Sequence, residues 1–138
     1  MFDVEIRNVS GEPAAIGNAG PYTVVMDRPV DGGGRGVGFN GGQLLYLAIA
    51  GCISNDLFRE ARAAGIRLED VRVVVRGDFS GEPAVSTPIE YDVKLSGDAS
   101  AQQLRELAAR VDEIAEIPNS LRRGTAVRLA ALHTADIA

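Results

Sequence analysis

Apolar and polar side chains alternate from the start of the chain, with Phe2, Val4 and Ile6 on one face and Asp3, Glu5 and Arg7 on the other. This period of two predicts a half-buried strand over residues 2–9. Residues 10–13 and 17–21 carry turn chemistry. Residues 22–27 are rich in β-formers and are expected to pair antiparallel with the first strand. Arg28-Pro29 ends that pairing, because proline donates no ladder hydrogen bond. From Gln43 to about Ala64 the period lengthens to three and four, through Leu45, Ile49, Cys52, Ile53 and Leu57. The first half of this predicted helix is apolar nearly all round, which marks a helix buried on most sides. At 1.5 Å per residue it spans roughly 33 Å, the diameter of a small domain, so it is expected to be central. Gly65 suits its C-terminal cap.

Two further strands are predicted over residues 71–79 and 89–95, with a turn at Gly81-Glu82-Pro83 between them. Ser100 caps a second helix running to about Glu116, with Leu104, Leu107, Ala108, Val111 and Ile114 on one face. Pro118 interrupts it. Asn119, Ser120 and Leu121 read as a short turn, and residues 125–133 as the last strand. The order ββ-α-ββ-α-β describes an α+β fold with antiparallel sheets packed on two helices. The whole chain, residues 1–138, reads as one domain.

Between the second strand and the central helix, residues 31–42 hold seven glycines in twelve positions. Neither a Gly-Lys-Ser/Thr nor a completed dinucleotide fingerprint follows, so a flexible lead-in to the helix is favoured over a phosphate loop. The formal charge of −5 argues against nucleic acid as a partner. Of the fourteen basic residues only Lys94 is lysine, and they are scattered. The apolar run 44–53 is about half of a bilayer span, and no leader is evident, so a cytoplasmic protein without a membrane partner is expected. One cysteine, Cys52, and one histidine, His133, give no disulfide framework, no metal cluster and no implied cofactor.

The stretch Gln43-Leu44-Leu45 to Gly51-Cys52, followed by Asp56, resembles the central-helix motif of the OsmC/Ohr family of osmotically induced and organic-hydroperoxide-resistance proteins. Gln43 stands nine positions before Cys52, where the family places a glutamate. Met26-Asp27-Arg28-Pro29 with Gly32, Gly33 and Gly36 is similar to the lead-in of the OsmC-like branch. Asn119-Ser120-Leu121 through Thr125 is similar to the tail of the family's second motif. The resemblance implies an intertwined homodimer, with long central helices packed in the middle and pockets at the interface. In active members it also implies a peroxidatic cysteine on the central helix, a resolving cysteine, an external dithiol, and an arginine paired with the helix-start glutamate. This chain departs from that set in three places. The second cysteine is absent, its position falling at Ile117 or Ala115. The glutamate is Gln43. The first turn carries no arginine, which leaves Arg28 and Arg35 as the substitutes near the helix start.

A thiol attacks peroxides as its thiolate, and a free thiol is only a few per cent ionised at pH 7. Cys52 sits mid-helix among Leu45, Ala48, Ile49 and Ile53, where only a cation brought from elsewhere favours the charged form. Two roles stay open for it: a candidate catalytic nucleophile, or a small hydrophobe in the core. Gln43, Arg28, Arg35 and Asn119 are the candidate pocket residues. Three functions follow. The first is a homodimer linked to oxidative stress, with a degenerate peroxidase site. The second is a one-cysteine organic hydroperoxide reductase using an external thiol. The third is a binding protein for a small apolar ligand.

Overall fold

The computed structural model describes residues 2–135. Three strands, β1 (Glu5–Asn8), β2 (Ala15–Ala19) and β3 (Tyr22–Met26), form an antiparallel sheet in that order. The expected direct pairing of the first and third segments is therefore wrong. Each pairs with an intervening strand, with Ile6 opposite Gly17 and Gly17 opposite Val24. The turn is confined to Gly20-Pro21, where Gly20 takes φ +58°. Gly17 belongs in the strand because a Cβ there would lie 2.6 Å from Ile6 Cδ1 and 3.0 Å from Val24 Cγ1. Its missing side chain makes room for those of its two neighbours.

The central helix α1 runs Gly41–Ala63. Asn40 caps it: its side chain accepts the Gln43 N–H at 2.9 Å, while Gln43 Oε1 accepts the Asn40 N–H at 3.0 Å. This reciprocal pair is a capping box. At the other end Gly65 turns left-handed. Its N–H donates to Arg62 O, and Ile66 N–H donates to Ala61 O, which satisfies the last carbonyls in a Schellman motif.

Strands β4 (Leu68–Arg76) and β7 (Glu90–Gly97) form an antiparallel ribbon, with Val73 opposite Val93 and Val75 opposite Tyr91. Short strands β5 (Phe79–Ser80) and β6 (Val85–Ser86) form a hairpin between them. Helix α2 (Ala101–Ile114) is capped by Ser100 and Gln103 in a second capping box. The core gathers Ile53, Leu57 and Ala61 of α1 with Leu107 and Val111 of α2 and Ala115. Val71, Val73, Tyr91, Val93 and Leu95 of the ribbon pack against them.

Two expectations at the C-terminal end need correcting. Pro118 does not end helical structure: α3 (Glu116–Arg122) begins just before it. Proline is tolerated in a first helical turn because its missing N–H would have no intrahelical partner there. Residues 125–135 form no helix or strand in the chain, and Val127, Leu129 and Leu132 are 95%, 81% and 76% exposed. The central helix is also less enclosed than its composition suggests, since Leu47 and Phe58 remain about half exposed. No helix among the described residues is long and apolar enough to cross a membrane.

Candidate functional site

The glycine-rich segment leads into α1 by folding tightly around Asp27. This carboxylate is buried and accepts backbone N–H groups from Arg28 at 2.7 Å, Arg35 at 3.0 Å and Val37 at 3.2 Å. Burial pushes the Asp27 carboxyl up. The donated N–H groups of Arg28, Val37 and Arg35 outweigh it and hold the group below the usual carboxylate range. The glycines follow from this crowding. A Cβ at Gly34 would lie 2.1 Å from Arg28 O, and one at Gly38 would lie 2.4 Å from Val25 O. The segment is thus neither a phosphate loop nor a flexible lead-in. Its N–H groups already serve an anion, and that anion is Asp27.

Arg28, next in sequence, lines a cavity of about 430 Å³ at the start of α1, together with Asn40, Gln43, Tyr46, Asp78 and Phe79. Tyr46 and Phe79 stack with ring centroids 5.9 Å apart at 25°. The Tyr46 hydroxyl donates to Asp78 O at 3.3 Å and lies 2.9 Å from Ser86 Oγ. Among the described residues Arg28 makes no ion pair and no side-chain hydrogen bond. Two of the sequence candidates, Arg28 and Gln43, are therefore brought together.

The others lie apart. Arg35 pairs with Glu12 at 2.9 Å on the surface. Asn119 is occupied within its own region: its amide donates to Glu113 O at 2.8 Å and its carbonyl accepts from Arg122 at 3.0 Å. Cys52 is half-buried, packs against the apolar core and makes no hydrogen bond among the described residues. It lies six residues beyond Tyr46, about 9 Å by helix rise, and does not line the cavity. One turn further, Asp56 is 6% exposed. Its Oδ1 sits 3.1 Å from Arg59, while its Oδ2 has no partner. The charged residue nearest to Cys52 along the helix is thus Asp56, which is itself paired with Arg59.

A second, more apolar cavity of about 330 Å³ lies between α1 and α3, walled by Leu45, Ile49, Ile89, Pro118 and Leu121. At its edge Asp112 accepts hydrogen bonds from the Tyr91 hydroxyl and, at 2.7 Å, from Arg122. Those two bonds hold the Asp112 carboxyl below its usual range. Burial and Asp112 push the Tyr91 phenol up. Among the described residues no group of three His, Cys, Asp or Glu is placed to hold a metal.

Sequence reasoning missed Asn40, Tyr46 and Phe79. Asn40 was findable, because an Asn followed three positions later by Gln ahead of an apolar run is a capping-box signature. Phe79 was not, since a hairpin well beyond the helix brings it there.

This architecture, with a capped central helix flanked by antiparallel sheets and a lone thiol at its middle, defines an α+β thiol-bearing class. The model of the OsmC-like protein family matches residues 32–130, and the chain belongs to that family. The chain is similar in structure to an OsmC-like protein from Mycoplasma pneumoniae, with 17% identity over 88% of this chain and 87% of that one and a TM-score of 0.77. It is also similar to an organic hydroperoxide resistance protein OsmC from Legionella pneumophila, with 18% identity, 88% and 89% coverage and a TM-score of 0.65. The organic hydroperoxide resistance protein OhrB of Bacillus subtilis gives 17%, 88% and 90%, and 0.61. At these identities the structural likeness speaks for the fold alone. A search of curated proteins finds no match.

Proposed function

We propose that this chain is a cytoplasmic OsmC-like homodimer linked to oxidative stress, in which two-cysteine peroxidase turnover has been lost. The observation that carries the reading is the setting of Cys52, half-buried against the apolar core with no hydrogen-bond partner among the described residues. Peroxide reduction by a thiol forms a sulfenic acid and an alcohol. Resolution then needs a second thiol, which gives a disulfide and releases water. With one cysteine in the sequence, that second thiol must come from another molecule. Family membership supports the link to hydroperoxide or osmotic stress.

The test is turnover of cumene hydroperoxide with a dithiol and, separately, with a monothiol. The expected result is little or no turnover in either case. Rapid turnover that disappears in Cys52→Ser would overturn the reading.

The homodimer is supported by apolar surface that one chain leaves uncovered: Val127, Leu129 and Leu132 near the C-terminal end, Leu47 and Phe58 on α1, and Val4, Ile6 and Tyr22 on the first sheet. These side chains give a second copy apolar surface to bury.

A further inference from the structure

We propose that the cavity at the start of α1 is a binding site for a small carboxylate with a flat or apolar body. Gln43 Oε1 and Asn40 Oδ1 each accept a backbone N–H, so both amide oxygens are used by the helix cap. Backbone N–H groups only donate, which fixes the orientation of both amides. Each NH2 group makes no hydrogen bond among the described residues, and both residues line the cavity. Beside them is Arg28, whose guanidinium has no ion pair or side-chain hydrogen bond among the described residues.

Most of the polar groups available in the cavity are therefore donors. The one acidic residue that lines it, Asp78, has Oδ1 committed to the Phe79 N–H at 2.8 Å. A cluster of donors around an unpaired guanidinium selects an acceptor-rich anion, and a carboxylate matches the planar fork of arginine. The stacked Tyr46 and Phe79 rings supply an apolar wall for the rest of the ligand. Glycines shape that wall. A Cβ at Gly42 would lie 2.7 Å from Phe79 Cε2, and one at Gly77 would lie 2.5 Å from the Tyr46 hydroxyl. At about 430 Å³ the space lies within the usual range for small-molecule pockets. The chain carries a net charge of −5, so attraction of an anion here must come from these local groups rather than from the whole molecule.

Because Cys52 does not line the cavity, this site can be tested without peroxide chemistry, and its failure is separate from the failure of the function proposed above. The probes are sodium benzoate and its uncharged analogue benzyl alcohol, titrated into the full chain by calorimetry or NMR. Benzoate should bind saturably, and benzyl alcohol about tenfold or more weakly, as expected for one lost charge-assisted contact. Arg28→Gln should weaken benzoate binding by about tenfold or more. Gln43→Glu keeps an acceptor for the cap and replaces a donor with an anion, so it should abolish binding while the thermal transition is preserved. Arg72→Gln removes the same charge from the exposed face of β4 and should leave binding unchanged. No saturation at millimolar benzoate, equal binding of benzyl alcohol, or full affinity in Arg28→Gln would each overturn the proposal.

Discussion

Asp27 shows how one buried carboxylate can organise a run of glycines. Three backbone N–H groups converge on it, and the chain passes so close that side chains at Gly34 and Gly38 would collide with main-chain carbonyls. Its folded pKa lies below the unfolded value, so its contribution to stability is fully present at neutral pH. That contribution is lost as pH falls through the folded value, below the ordinary 3.8. Asp92, held down by its hydrogen bond from Arg76, and Asp112, held down by Tyr91 and Arg122, act in the same direction. The melting temperature should therefore fall on acidification below about pH 4. Asp27→Asn should lower the melting temperature at pH 7 and reduce its acid dependence, because an amide NH2 would then face either the N–H group of Arg28 or those of Arg35 and Val37. Thermal melts of both proteins across pH 3–7 check this, and identical pH profiles would contradict it.

Helix α1 ties fold to site, because its cap residues are also the lining of the cavity. Asn40→Ala removes the acceptor for Gln43 N–H and should cost about 1 kcal/mol by chemical denaturation. Leu57→Ala, at a fully buried position against α2 and the ribbon, should cost about 2–5 kcal/mol in the same measurement. The contrast tests whether tertiary burial outweighs local capping in holding this helix. Helices α1 and α2 and the β4–β7 ribbon were legible in the sequence because their periods are long and clean. Strand β2 was not, since Gly17 and Asn18 are poor strand formers placed there by the needs of their neighbours. Helix α3 was hidden by Pro118, whose position in a first turn could not be told from a helix break. For the site, residue type singled out Arg28 and Gln43, and the fold joined them. Arg35 and Asn119 looked equivalent on paper, but the first is paired to Glu12 and the second is spent on Glu113 and Arg122. Charge and hydrogen-bonding capacity are visible in a sequence, whereas prior engagement by neighbours is not.

At the scale of the molecule, the first half of α1 has the composition of a helix enclosed on most sides, and one chain encloses only part of it. The C-terminal segment presents the complementary problem. Val127 and Leu129 flank Arg128 in an otherwise apolar run, yet both side chains are exposed and the segment has no ladder partner among the described residues. The proposed homodimer would supply both what the helix face needs and what the segment needs, through a self-complementary two-fold contact. Sedimentation should therefore report twice the mass of one chain. Placing charge at the two exposed positions, as Val127→Asp with Leu129→Asp, should shift the protein towards the single-chain mass, since burying a carboxylate in an apolar contact without a partner is costly. The core of Ile53, Leu57, Leu107 and Val111 lies within one chain, so the monomeric variant should keep its far-ultraviolet helix signal. A parent that sediments as one chain, or a double variant that associates as tightly as the parent, would remove the homodimer. The pairing of lost association with retained helix content separates an interface from a folding defect.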